Sequence, residues 1–176
     1  MTTTATTPLV RRLGAVGIAL AVGMALPFAV HLVPVEAGPP MGARLLPIFL
    51  AAGLAAMRLD AISALSIAIL TPLANRLVTG MPAGPMLPTV LLELVLVVAT
   101  ILALRYGLPP AARTLALRLA LAPAYLLAAV VTGLVLAGDA PAATLAFAWQ
   151  WSWPGLATLA VAGALFAPRR GGARAA

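Results

Sequence analysis

The chain contains no cysteine and no lysine, a single histidine (His31), three serines (Ser63, Ser66 and Ser152) and four acidic residues (Glu36, Asp60, Glu93 and Asp139). Each scarcity closes off a class of chemistry. Without cysteine there are no disulfides, thiolate metal sites or thiol nucleophiles. Acids this few and this scattered do not build a cation cage. Hydrolytic or transfer chemistry needs a nucleophile, a base and an electrophilic stabiliser within reach of one another, and one histidine with three serines supplies little for that. The GxxxxGK[ST], HExxH and GxSxG patterns are absent, so no ATPase, metalloprotease or serine hydrolase is expected. Neither a cofactor nor a metal is expected.

What the chain does have is apolar residues, which make up 63% of it against 9% charged, with a mean hydropathy of +1.10. A water-soluble domain of this size would expose large apolar patches at that composition, so the bilayer must be its solvent. Backbone groups find no water in hydrocarbon, and only helices or closed barrels satisfy them internally. The apolar runs are long, rich in Ala and Leu, and lack polar alternation, which selects helices. The expected fold is an all-α membrane bundle of about six spans: 13–32, 45–57, 61–78, 88–104, 115–136 and 154–167. The second and last are short for a crossing and need a thinned bilayer, shielding or flanking residues. Residues 1–12 and 168–176 read as flexible tails around a single domain, and 141–153 as an interfacial segment before the last helix.

Eleven arginines give a formal charge of +7. A nucleic-acid face needs a basic patch on a soluble surface, so nucleic acid is not an expected partner; in a membrane protein the same excess records topology. With the N-terminus inside, Arg11, Arg12, Arg58, Arg105, Arg113, Arg118, Arg169, Arg170 and Arg174 all fall on the inner side of a six-span arrangement. Both termini are then cytoplasmic, and Glu36 and Asp139 are outside. The first span also resembles a signal peptide, with Arg11–Arg12 before an apolar core and Val35-Glu36-Ala37 after it. Its core exceeds the usual 7–15 residues or so, which favours its retention as a helix.

Polar residues at membrane depth are costly and so need partners or a wet cavity. Asn75 and Arg76 fall near the outer end of the third span and Glu93 near the outer end of the fourth, with Arg76 and Glu93 as the obvious pair. That pair is either a structural clamp or the floor of a solute cavity. Trp149, Gln150, Trp151 and Trp153 form either an aromatic belt at the interface or a loop whose rings cover a flat ligand. Tyr125 lies midway along the fifth span and needs a hydroxyl partner. His31 reads as an interfacial or capping residue. Ala15, Ala19 and Gly23 make a small-residue stripe on the first span, with Gly17, Ala21 and Ala25 on another face. Such a stripe suits either internal packing or a docking partner.

The order Leu26-Pro27…His31, Gly42-Ala43-Arg44-Leu45-Leu46-Pro47, Thr71-Pro72-Leu73, Leu77-Val78-Thr79-Gly80-Met81-Pro82, Leu87-Pro88 and Leu92-Glu93-Leu94 resembles the substrate-binding S component of energy-coupling factor (ECF) vitamin transporters. The likeness covers about half the chain, from the first span through the fourth. It implies a six-helix module in a bacterial cytoplasmic membrane that captures a vitamin-like small molecule from outside. Docked on a transmembrane coupling subunit driven by two ABC ATPase subunits, such a module topples to release its solute inward. The resemblance places docking on the Ala15–Ala19 stripe, with Gly23 continuing it. Asn75, Arg76, Glu93, Tyr125, Trp149, Gln150, Trp151 and Trp153 are the candidate solute ligands, with Arg76 matched to a carboxylate or phosphate. Many relatives carry Pro-Met-His-Ile-Pro where this chain reads Pro47-Ile48-Phe49-Leu50-Ala51. Two alternatives stay open on the residues alone: a non-transporting accessory or assembly subunit of another membrane complex, and a lipid-modifying enzyme, which would need acids and histidines clustered at the inner interface.

Overall fold

Proline decides where these helices break. A computed structural model describes residues 8–33, 38–39 and 41–168, with no strand among the described residues. Helix α1 is Pro8–His31, α2 Met41–Leu45, α3 Pro47–Arg58 and α4 Ala61–Thr79. A short 3-10 turn, Gly84–Met86, leads into α5, Leu87–Gly107. Then come α6, Pro110–Leu119; α7, Leu121–Thr132, prolonged by a π-helical turn over Gly133–Ala137; α8, Pro141–Trp151; and α9, Trp153–Phe166.

The break between α2 and α3 falls at Leu46, whose φ of 54° is left-handed, immediately before Pro47. A residue preceding proline is disfavoured in the α region, so the helix cannot run straight through. Helix α4 starts on Asp60, whose carboxylate accepts from the Ser63 N–H at 3.1 Å and from the Ser63 hydroxyl at 2.7 Å. It ends at Gly80, where φ is 75°, a turn glycine adopts at no steric cost.

Four helical stretches are long and apolar enough to cross a bilayer: Leu9–Val30, Met41–Arg58, Ala61–Thr79 and Gly84–Gly107. The stretch from Met41 reaches crossing length because α2 adds a turn ahead of Leu45, where the sequence alone places its start. A fifth is reached if α6 and α7 count as one span, but they meet at 69°. The straight span expected over 115–136 is therefore corrected. Pro123 has no N–H to give the Leu119 carbonyl, and Arg113 and Arg118 on α6 resist burial in hydrocarbon. The 14 residues of α9 reach about 21 Å, short of a hydrocarbon core of about 30 Å. The described residues thus form an all-helical bundle with four or five helices of membrane-crossing character, compatible with a multi-pass membrane protein.

Helix α3 lies at the centre, against α1, α4, α5 and α9. Between Phe49 and Met57 its buried residues are all small, Ala51, Ala52, Gly53, Ala55 and Ala56, so neighbouring backbones approach closely there. Around it pack Ile67, Leu94, Val97, Val98, Ile101, Leu121 and Leu159. Helix α9 is held by two glycines. A Cβ on Gly155 would sit 2.6 Å from the Arg44 carbonyl oxygen, and one on Gly163 would sit 2.7 Å from that of Arg118. The outer surface stays apolar, as at Leu77, Ile18 and Leu115.

Arg58, Arg105 and Arg113 gather at one end. Arg12 pairs with Asp60 at 2.7 Å. Arg58 donates twice to the Phe166 carbonyl, and Arg105 donates to the carbonyls of Ala56 and Leu59.

Gly155→Ala and Gly163→Ala are each expected to cost about 1–3 kcal/mol in unfolding measured in detergent, since the obstruction is backbone that must shift. Gly14→Ala on α1, with nothing within 4 Å, stays within about 0.5 kcal/mol of the parent. Asp60 yields a further expectation, because its carboxyl is held below its ordinary 3.8 by the Ser63 hydroxyl and N–H, with Arg12 adding to the effect. A depressed carboxyl stabilises the fold above its ordinary pKa and loses that contribution as pH falls through the lowered value. Asp60→Ala should therefore melt below the parent at pH 7, and the gap should close in scans run at pH values progressively below 3.8.

Candidate functional site

Pro27 sits inside α1 and has no N–H to give the carbonyl of Gly23, one turn back. A carbonyl stranded in an apolar bundle needs another donor. Asn75 provides it: Nδ2 donates to the Gly23 oxygen at 3.2 Å, and the Asn75 side chain is buried. The Thr79 hydroxyl donates to the Asn75 backbone carbonyl at 2.7 Å and accepts from the Met81 N–H at 3.2 Å. These bonds join the end of α1 to the end of α4 and to the turn beyond it.

Next to that junction is a cavity of about 320 Å³, at the end of the bundle away from the arginine cluster. Its wall is mostly apolar, from Pro27, Phe28, Phe49, Met81, Met86, Val90 and Phe147. Phe49 and Tyr125 meet edge to face, ring centroids 4.8 Å apart. The polar lining is Asn75, Thr79, Thr89, Glu93, Tyr125 and Ser152. Tyr125 is buried and lines the cavity together with Ser152 and Glu93. The Ser152 hydroxyl in turn donates to the Ala43 carbonyl at 2.9 Å, tying the corner between α8 and α9 to α2. Among the described residues Glu93 is the one charged side chain of the lining, and neither a hydrogen bond nor an ion pair engages its carboxyl.

The expected pair of Arg76 and Glu93 does not form. Arg76 is exposed, donates to the Pro82 carbonyl at 3.1 Å and lies over Gly84. The turn after Gly80 brings that carbonyl within reach, so the guanidinium is satisfied locally and points away from the cavity. The tryptophan segment is helical rather than an open loop: Trp149, Gln150 and Trp151 finish α8 and Trp153 begins α9. Trp149 and Trp153 are 76% and 59% exposed, and Gln150 is exposed too, so none of the three lines the cavity. Trp151 packs against Gly38 and lies beneath the Arg44 guanidinium, 5.4 Å from its ring centre, steadying the segment before α2. Arg44 also donates to the Pro39 carbonyl at 3.0 Å.

The stripe of α1 turns inward. Gly23 is buried against Thr71 and Ala51, and Ala15 and Ala19 are half-buried towards the bundle. The exposed small residues are Gly17, Ala21 and Ala25. The side chain of His31 and residue Glu36 lie outside the described residues.

Three cavity residues, Phe28, Phe49 and Phe147, are not among the expected ligands. Scarcity is the signal that could have found them, since the chain has only four phenylalanines and three line this cavity. The cavity has apolar and aromatic walls with one carboxyl, a few hydroxyls and an amide among them, a lining suited to non-covalent binding, and among the described residues its lining assembles no nucleophile–base pair. No group of three or more metal-ligating side chains occurs among the described residues.

Asn75→Leu should cost about 1–3 kcal/mol of stability in detergent, by stranding the Gly23 carbonyl. The same change in a Pro27→Ala background should cost clearly less, because residue 27 then supplies its own N–H; equal costs in the two backgrounds would refute the link. In comparisons with protein-family models, with curated proteins and with solved structures, nothing matches the chain.

Proposed function

We propose that the chain is a solute-binding membrane subunit of an ECF-type importer, capturing a small molecule in the cavity beside Glu93. The observation that carries this reading is a mostly apolar cavity of about 320 Å³ with one unpartnered carboxyl in its wall, at the end opposite the cluster of Arg58, Arg105 and Arg113. By the positive-inside rule that end faces outward. The volume sits at the small end of ligand pockets, which run from roughly 300 to 1,000 Å³. A carboxyl is an acceptor and not an anion receptor, so the solute is a compact, largely apolar or aromatic molecule bearing an amine, cationic ring or hydroxyl donor. That replaces the carboxylate or phosphate partner that Arg76 suggests from the sequence. Phe49 supports the change, because it occupies the position where many relatives of the resembled family carry histidine.

In this reading ATP hydrolysis belongs to two partner ATPases acting through a coupling subunit. Their docking face on α1 is the exposed Gly17–Ala21–Ala25 side rather than Ala15, Ala19 and Gly23, whose side packs internally.

Native mass spectrometry of the protein as purified, followed by titration with a vitamin panel, tests the proposal. A retained cationic or donor-bearing solute is expected. Glu93→Gln should weaken it about tenfold or more, the worth of one charge-assisted hydrogen bond. Arg76→Ala should leave affinity within about twofold, as its guanidinium is bonded outside the cavity. A protein that retains nothing and binds nothing on the panel is an accessory subunit instead.

A further inference from the structure

The arginine end holds another cavity, of about 400 Å³, lined by Met57, Arg58, Arg105, Arg113, Thr114, Leu117 and Pro168. Three guanidiniums face one space, and among the described residues no carboxylate lines it. Each is anchored along part of its fork to a helix-end carbonyl. Arg58 uses Nε and Nη2 on the Phe166 oxygen at 2.8 and 2.6 Å. Arg105 uses Nη1 on the oxygens of Ala56 and Leu59. Arg113 uses Nε and Nη2 on the Leu108 oxygen at 3.2 and 3.0 Å.

These carbonyls orient the guanidiniums without neutralising them. A helix C-terminus offers about half a negative charge, against one full positive charge on each arginine. Every fork also has N–H groups to spare, since arginine carries five and each of these residues makes two such bonds. The result is a preoriented cationic site with unfilled donors, the pattern that suits the tetrahedral oxygens of a phosphate.

Its surroundings favour a lipid as the source of that phosphate. Met57 and Leu117 line the cavity itself, and another face of α6 presents Leu115 and Leu119, each 61% exposed. The 69° bend between α6 and α7 carries α6 off the direction of the spanning helix it precedes. Basic recesses between transmembrane helices on the cytoplasmic side hold anionic headgroups elsewhere by the same logic.

We infer that Arg58, Arg105 and Arg113 form a binding site for the phosphate of an anionic phospholipid at the arginine-bearing end of the bundle. The site is independent of the solute cavity.

The test uses the full chain, delipidated in neutral detergent and titrated with phosphatidylglycerol or with phosphatidylcholine of the same acyl chains, read by native mass spectrometry. Phosphatidylglycerol should bind at least about tenfold more tightly, and Arg58→Gln and Arg113→Gln should each reduce that preference about tenfold. Glutamine keeps an amide donor for the helix-end carbonyl, and lipid-free melting temperatures close to the parent's establish that each variant is folded. Arg118→Gln removes the same charge from α6 outside the cavity and should retain the preference. Equal binding of the two lipids, or an equal loss with Arg118→Gln, overturns the site. Inorganic phosphate at millimolar concentration should not displace the lipid; complete displacement would assign the site to a free anion and overturn the lipid assignment.

Discussion

Helix carbonyls without a donor are the constraint that organises this protein. In hydrocarbon every backbone oxygen released by a proline or a helix end must find another hydrogen. With eleven arginines and four acids, the basic side chains cannot all pair with carboxylates. They turn to carbonyls instead. Arg58 serves the end of α9, Arg105 the end of α3 and Arg113 the end of α5. At the other end Asn75 serves α1 where Pro27 interrupts it. Arg76 does the same for the loop carbonyl of Pro82. One rule thus produces the arginine-to-carbonyl ties at the Arg58 end, the junction of α1 with α4, and the absence of the expected ion pair.

That rule also explains why Glu93 stands apart. Arginine donors in this chain are plentiful, yet those near this end are held by carbonyls elsewhere, Arg76 by Pro82 and Arg44 by Pro39, and among the described residues none bonds the Glu93 carboxyl. An acceptor left open in an apolar wall specifies what may enter: a molecule bringing its own donor. The two cavities are therefore chemically opposite. One offers an acid in a mostly apolar space with aromatic walls; the other is lined, among the described residues, by three arginines and no acid.

Much of this is legible in the residues themselves. Composition alone dictates an all-helical membrane bundle, and Asn75, Glu93 and Tyr125 stand out as polar groups at depth because such groups need a reason to be there. The straight fifth span fails because hydropathy averages over a window and ignores Pro123, which removes one hydrogen bond and turns the chain. The Arg76–Glu93 pair fails because pairing by charge overlooks the carbonyls that compete for a guanidinium. The tryptophans fall elsewhere because their alternation suggests an open strand, whereas Pro141 and Pro154 each open a helix and leave only Ser152 between the two. The α1 stripe is a matter of phase: Gly17, Ala21 and Ala25 are as small as Ala15, Ala19 and Gly23, and sequence spacing cannot say which set meets α3.

That phase is itself fixed by the stranded carbonyl. For Asn75 to reach the Gly23 oxygen, Gly23 must face α4, and its lack of a side chain is what allows the approach: a Cβ there would sit 2.8 Å from a Thr71 methyl. Ala19 lies one turn before Gly23 and Ala15 one turn before that, so the inward rotation of one residue carries the whole stripe inward. The opposite face, bearing Gly17, Ala21 and Ala25, is then turned outward by the same geometry. A single missing N–H at Pro27 in this way sets which surface of α1 closes the cavity and which is left for a partner or for lipid.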